Sequence, residues 1–382
     1  MDCNNHTMLR TVKSIGISLA VAAVLILGAD FVLTKLGMGP EYFKIEGLRS
    51  GTTATVVTHP VYHHDLKPDV DGWFDWGNGP TRMCTNSFGF RISCADKDRT
   101  PLKSYDLAFI GDSFTEGIGS SYEDSFVGRY AQKHPEISVA NLGVSTYSPT
   151  ICYRKMQFLL DNGFTFSHVV VLPDISDITD EGAAYMLDPR TGNVVNKVNQ
   201  PERKDKTIGD ARKLVYKIRD TLGDTFRLTN FLVKRLRQYY FPKKDTPGVD
   251  IYYPRSAWTY DPEADGHGTA GVAGGIAQAL ESMGKLKRLL DEHNIRMTIV
   301  VYPWPDQLAH DKPDHLGMTL WRDFCAREHC AGFIDANRLF FDQVEQLGLL
   351  PAVQRCYIRG DMHFTAEGNK LVFDAIDAGL VP

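Results

Sequence analysis

Short apolar runs bounded by turn residues recur along the chain, at Leu107–Ile110, Ile137–Leu142, His168–Leu172, Met297–Tyr302 and Gly332–Ile334. Amphipathic stretches separate several of them. The clearest runs from Val272 to His293, where Ala279, Met283, Leu286, Leu289 and Leu290 fall at helical spacing. Strand and helix in alternation predict an α/β fold, a parallel sheet covered by helices on both faces, with an active site outside the carboxyl ends of the strands. Ahead of this body, residues 34–104 are rich in Gly, Pro, Asp and aromatics, as in DVDGWFDWGNGP, and read as loops and short strands leading into it. From about 182 to 265 the rhythm breaks. Thirteen Lys and Arg stand there against four Asp between Arg203 and Lys244, which reads as a basic, partly amphipathic helical insertion. It is either a solvated helical face or a surface turned toward anionic lipid headgroups or an acidic glycan.

The hydropathy pattern changes most sharply at the start. Ser14 to Leu33 reads SIGISLAVAAVLILGADFVL, with Asp30 as its only charge, placed near the far end where it could reach the headgroup layer. About 20 such residues span a bilayer core of roughly 30 Å. Arg10 and Lys13 precede the segment, so the positive-inside tendency leaves 1–13 as a cytoplasmic tail and everything after Leu33 outside, the periplasm if the source is a Gram-negative bacterium. Lys35, Lys44 and Arg49 on the far side count against that orientation. A cleaved signal peptide is the alternative, although Leu27-Gly28-Ala29 is a poor cleavage site.

Composition adds exclusions. The 382 residues are 43% hydrophobic and 23% charged, with 42 basic and 47 acidic side chains and a net charge of -5, ordinary globular values without the basic surplus of a nucleic-acid binder. Among seven cysteines, Cys84 with Cys94 and Cys325 with Cys330 are near enough in sequence to close short loops, or they are buried thiols. No CxxC pattern supports a zinc ribbon. His59, His63 and His64 lack a Cys or acidic partner at ligand spacing and read as ordinary surface histidines. No metal and no organic cofactor is expected.

The first strand runs into Gly111-Asp112-Ser113-Phe114-Thr115-Glu116-Gly117. A serine at a strand end that opens a helix exposes its hydroxyl, and its own N–H points with the first helical amides toward the same space, where an oxyanion can be held. A simple helix cap is the other reading. The hydroxyl needs a base, and the base needs a group to fix its tautomer. Asp361-Met362-His363 precedes a helical pattern through Leu371 and Ile376. In an extended segment, residues two apart share a side, so Asp361 can orient His363 toward the serine.

These blocks resemble the SGNH or GDSL hydrolases. Gly111 to Gly117 resembles the first block, with Ser113 as nucleophile; Asn141-Leu142-Gly143 resembles the second, in which a glycine amide serves the oxyanion hole; Asp361-Met362-His363 resembles the last. The likeness covers roughly Tyr105 to the C-terminus and implies a flavodoxin-like three-layer α/β/α domain over 105–382, with hydrolysis or transfer of an acyl group. Thr85–Arg91 and Tyr302-Pro303-Trp304-Pro305 resemble a membrane-anchored branch associated with envelope or exopolysaccharide modification. One residue separates Asp361 from His363, where many members have two. The third block, usually Gly-x-Asn-Asp, is replaced by Asp174-Ile175-Ser176-Asp177. Ser176 would then supply the missing oxyanion donor, while charges on Asp174 and Asp177 would modulate it.

The resulting expectation is a serine esterase or O-acyltransferase for ester, chiefly acetyl, groups of an envelope or secreted polysaccharide, working beside polysaccharide-synthesis partners. A non-catalytic glycan-binding scaffold and a membrane-surface lipase or lysophospholipase are the alternatives.

Overall fold

A computed structural model describes residues 21–33, 55–76, 78–197 and 253–380, with positions 18, 35, 36, 49, 50, 225, 226 and 229. Leu48–Gln200 and Pro247–Pro382 form one compact unit. Its sheet contains β1 (Arg49–Ser50), β2 (Asp71–Asp75), β3 (Pro80–Thr85), β4 (Arg91–Ile92), β5 (Ser104–Gly111), β6 (Val139–Asn141), β7 (Thr165–Leu172), β8 (Arg296–Val301) and β9 (Gly332–Asp335). The spatial order is β1-β2-β3-β4-β6-β5-β7-β8-β9. From β6 to β9 every pairing is parallel. Phe109, Ile110, Val169, Val170, Ile299 and Val300 are fully buried there, which is why these strands read as continuous apolar runs.

Helices α1 (Ser113–Glu116), α2 (Phe126–Lys133), α3 (Pro149–Asp161), α4 (Gly271–Glu292), α5 (Pro305–His310), α6 (Leu316–Glu328), α7 (Asn337–Leu347), α8 (Leu349–Cys356) and α9 (Ala366–Gly379) fall between and after these strands. They pack as two sets. One joins α3, α4 and α6, the other α2, α5, α7, α8 and α9, as expected for the two faces of one sheet. The chain passes from β5 to β6 on one side and then to β7 on the other, so the topological switch lies at the carboxyl end of β5.

The sheet is mostly rather than wholly parallel. Strands β2, β3 and β4 pair antiparallel, and β4 joins β6, so residues 71–92 extend the sheet. Both cysteine pairs are bonded: Cys84–Cys94 ties β3 to the turn after β4, and Cys325–Cys330 closes the end of α6. Cys152 and Cys356 are buried thiols.

Met1–Gly47 and Pro201–Thr246 form a second unit. Residues 21–33 are helical, and the apolar side chains of Val24, Leu25 and Ile26 are exposed on that helix. Asp30 is instead buried, and its Oδ2 accepts the Thr229 N–H at 2.7 Å. Among the described residues no helix is long and apolar enough to cross a membrane. Of the segment expected to span, residues 14–17, 19 and 20 lie outside the described residues, as does the basic stretch from Arg203 to Lys244 except Phe226 and the helical positions Thr225 and Thr229. The described ends of the insertion hold a hairpin, Tyr185–Leu187 with Val194–Asn196, and a single 3-10 turn at Ala257–Thr259.

Candidate active site

The β5 strand ends at Gly111, and the Asp112 carboxylate accepts the Phe114 N–H at 2.9 Å, starting α1 with Ser113 at its first position. An N–H there has no acceptor within the helix. The helix is one turn long, too short to hold itself, and two devices close it. Gly117 adopts φ 84°, which returns its N–H to the Ser113 carbonyl at 3.0 Å. The buried Arg91 guanidinium donates to the carbonyls of Glu116, Gly117 (2.6 Å) and Ser120 (2.5 Å), a cation at the negative end of the turn. Arg91 was not among the expected site residues, although it closes the Thr85–Arg91 phrase.

Asp361 and His363 do not lie in the extended segment that alternation suggested. They occupy a tight turn closed by the Tyr357–Phe364 bridge and by the Ile358 N–H on the His363 carbonyl at 2.8 Å. Within it Asp361 Oδ1 accepts both the His363 backbone N–H (3.0 Å) and Nδ1 (2.5 Å). The far nitrogen, Nε2, lies 2.8 Å from Ser113 Oγ. The structure therefore brings Ser113, His363 and Asp361 into one hydrogen-bonded chain. The imidazole is buried and packs 4.9 Å from the Phe114 ring. Burial raises the Asp361 carboxyl, but the hydrogen bond and charge of His363, with further N–H donors, outweigh it and hold the group below the ordinary carboxylate range.

Ser113 Oγ also lies 3.1 Å from Asp112 Oδ2, so its single proton has two acceptors. Burial and then the nearby Asp174 push Asp112 well above the usual range, which weakens its claim on that proton.

Gly143 does not present its amide to the site. Its N–H donates to Asn141 Oδ1 at 3.0 Å. The position needs glycine for another reason: a Cβ there would meet the Glu116 nitrogen at 2.4 Å, so the loop after β6 can lie against α1 only without a side chain. Leu142 N–H pairs with the Phe109 carbonyl and Val144 N–H with that of Gly111. Beyond Val144 the chain turns, with the Tyr147 N–H on the Val144 carbonyl at 3.1 Å, and the Thr146 hydroxyl lies 3.3 Å from His64 Nε2 and from the Tyr185 hydroxyl. Thr146 is exposed at φ 64°, and its N–H has no acceptor among the described residues. A β-branched residue in the left-handed region carries no sequence signal.

The wall after β7 differs from expectation. The Ser176 hydroxyl is buried and donates to Asp174 Oδ1 at 2.5 Å, beside its own N–H at 2.8 Å, so its proton is not offered to a substrate oxyanion. Asp174 Oδ2 accepts Trp304 Nε1 at 2.7 Å and the Tyr302 hydroxyl at 3.2 Å, which places the Tyr302–Pro305 phrase beneath the site. Asp177 Oδ2 accepts the Asp174 N–H at 3.0 Å, whereas Oδ1 is buried with no hydrogen-bond partner among the described residues. Burial first, then the charges of Asp174 and Asp112, push Asp177 well above the usual range.

The residues at 55–66 also reach this region. The fully buried Lys155 ammonium contacts Asp65 Oδ1 (2.8 Å), Tyr147 Oη (3.2 Å) and the Leu142 carbonyl (3.3 Å), joining the hairpin of Val56–His59 and His63–Leu66 to both ends of the loop that carries Thr146. His64 is not a surface histidine. It is buried, with Nε2 2.9 Å from the Ser145 carbonyl and Nδ1 2.8 Å from His63, while His59 stacks on Tyr62.

Neither a protein-family model nor a curated protein matches this chain. Solved structures similar to it include a member of the lipolytic protein G-D-S-L family from Veillonella parvula, at TM-score 0.38 and 11% identity over 72% of this chain and 96% of that one. Two others are the acetylxylan esterase Axe2 from Geobacillus stearothermophilus (0.36, 11%, covering 71% and 92%) and TesA (0.36, 10%, covering 72% and 96%). At these values the likeness assigns no activity to this chain.

Proposed function

We propose that this chain is a membrane-anchored serine esterase or O-acyltransferase of the SGNH type, acting on ester, chiefly acetyl, groups of an envelope or secreted polysaccharide. One observation carries the reading: the unbroken chain Ser113 Oγ, His363 Nε2, His363 Nδ1, Asp361 Oδ1. Ser113 attacks the ester carbonyl while Nε2 takes its proton. Asp361 holds Nδ1–H and stabilises the imidazolium. The carbonyl oxygen gains negative charge, received by the Ser113 amide at the start of α1, since the expected Gly143 and Ser176 donors are given to Asn141 and Asp174. Nε2 returns the proton to the leaving sugar hydroxyl as the C–O bond breaks, leaving an acyl-serine. Water then gives an esterase, and a second sugar hydroxyl gives a transferase.

The apolar run of 14–33, with Arg10 and Lys13 before it, supports a tether that leaves this body outside the cytoplasm. Chemistry by the three side chains needs no metal or organic cofactor. The test uses the full chain in detergent, with fluorophosphonate labelling and a panel of acetylated polysaccharides and short-chain esters. Wild type should label and release acetate, and Ser113→Ala should do neither. Equal behaviour of the two proteins would leave the glycan-binding scaffold as the better reading, and a strong preference for long acyl chains would favour a lipase.

A further inference from the structure

The 76–79 loop between β2 and β3 belongs to a region expected only to lead into the hydrolase-like body, yet it reaches the catalytic turn. Trp76 Nε1 donates to Asp361 Oδ2 at 2.7 Å. This is the oxygen that His363 leaves untouched, since both His363 contacts go to Oδ1. The indole also stands edge-on to the imidazole, with ring centroids 5.6 Å apart and planes at 89°. Two residues on, Asn78 Nδ2 donates to the Gly119 carbonyl at 2.7 Å, and a Cβ at Gly119 would meet Ile358 of the catalytic turn at 2.4 Å. The loop is thus anchored both to the segment that follows the nucleophile helix and to the turn that carries the acid and base.

We infer that Trp76 is a positioning residue of the catalytic centre, a fourth member of the chain Trp76–Asp361–His363–Ser113. The inference rests on the esterase reading above. An indole N–H is a donor with no acceptor capacity, so it pairs with a carboxylate in one sense only. With one oxygen held by His363 and the other by Trp76, the Asp361 carboxylate cannot swivel, and the tautomer and aim of His363 are fixed through it. The Asp361 side chain is 22% exposed, so water reaches Oδ2 once the indole is removed, but water leaves the carboxylate free to turn.

Trp76→Phe keeps an aromatic ring and deletes the N–H, while Trp76→His restores a ring N–H donor. With an acetyl ester as substrate, Trp76→Phe should lower kcat and the rate of fluorophosphonate labelling roughly tenfold, with KM within about twofold of wild type. The acid limb of the kcat profile should move to higher pH, because an Asp361 carboxylate without the indole donor turns more of its charge onto the imidazole and favours the inactive imidazolium. Trp76→His should recover part of both losses, and the melting temperatures of folded variants should match. Unchanged kcat and labelling in Trp76→Phe, a change in KM alone, or equal impairment of both variants would overturn the inference. If Trp76→Phe does not fold, wild-type-like labelling by Trp76→His at an unshifted acid limb supports it, and impaired labelling by that variant overturns it. Failure of wild type itself to label above Ser113→Ala would instead remove the esterase reading, and this inference with it.

Discussion

Two turns at the rim of the sheet are built alike and do different things. In Asp361-Met362-His363 and in Asp174-Ile175-Ser176 the first aspartate's Oδ1 accepts two bonds from the residue two positions on, one from its backbone N–H and one from its side chain. Histidine has a second ring nitrogen, which reaches outward to Ser113. Serine has a single proton and spends it inward. The same local motif therefore continues as a hydrogen-bonded chain to a serine in one place and closes on itself in the other, and the deciding property is how many polar atoms the second residue carries beyond the turn.

The largest effect should come from breaking the first turn. Asp361→Asn leaves the shape but cannot hold the same tautomer of His363, and turnover should fall by about 10³ to 10⁴. The measurement is kcat against fluorophosphonate labelling at matched folding. Ser176→Ala in the second turn should change kcat less than about fivefold while costing about 1–2 kcal/mol of stability in urea denaturation, since Asp174 loses a donor. A hundredfold loss of kcat there would restore Ser176 to the oxyanion wall.

Acidity sharpens the contrast, because Asp361 in the first turn and Asp177, the residue that follows the second, are shifted in opposite directions. Asp361 is held below its ordinary range, so its contribution to stability is present above the unfolded pKa and is lost as pH falls through the folded value. Asp177 is raised, so the native state binds its proton more tightly, and stability declines as pH rises above the unfolded value. Asp177→Asn removes the need to bury that charge and should raise stability at pH 7 by about 1 kcal/mol relative to its effect at pH 4. Urea midpoints of both proteins at the two pH values check it.

The parallel strands and α4 were legible in the sequence because full burial writes itself as apolar runs and one-sided burial as helical spacing. Ser113 was legible as a serine at a strand end that opens a helix, whereas Asp361 and His363 were singled out on an extended spacing that a tight turn replaces. The antiparallel flank was legible only as short strands among loops, and that Asp71–Asp75 and Pro80–Thr85 pair with each other and extend the main sheet was not, because pairing is fixed by tertiary contacts. Gly143 and Ser176 were misplaced for a different reason. Residue type states what a group can donate, whereas the acceptor that claims the proton, Asn141 for one and Asp174 for the other, is fixed by folding. Trp76 read as part of a Gly-rich loop, although an aromatic donor between turn residues is a type whose N–H seeks a partner when half-buried.

Lys155 gives the native state a built-in chemical clock. Its ammonium is fully buried among Asp65, Tyr147 and the Leu142 carbonyl, out of reach of an amine-reactive ester. Acylation of that one amine can proceed only while the 55–66 hairpin stands away from the loop bearing Thr146, so its rate counts those openings against a background of lysines that label at once.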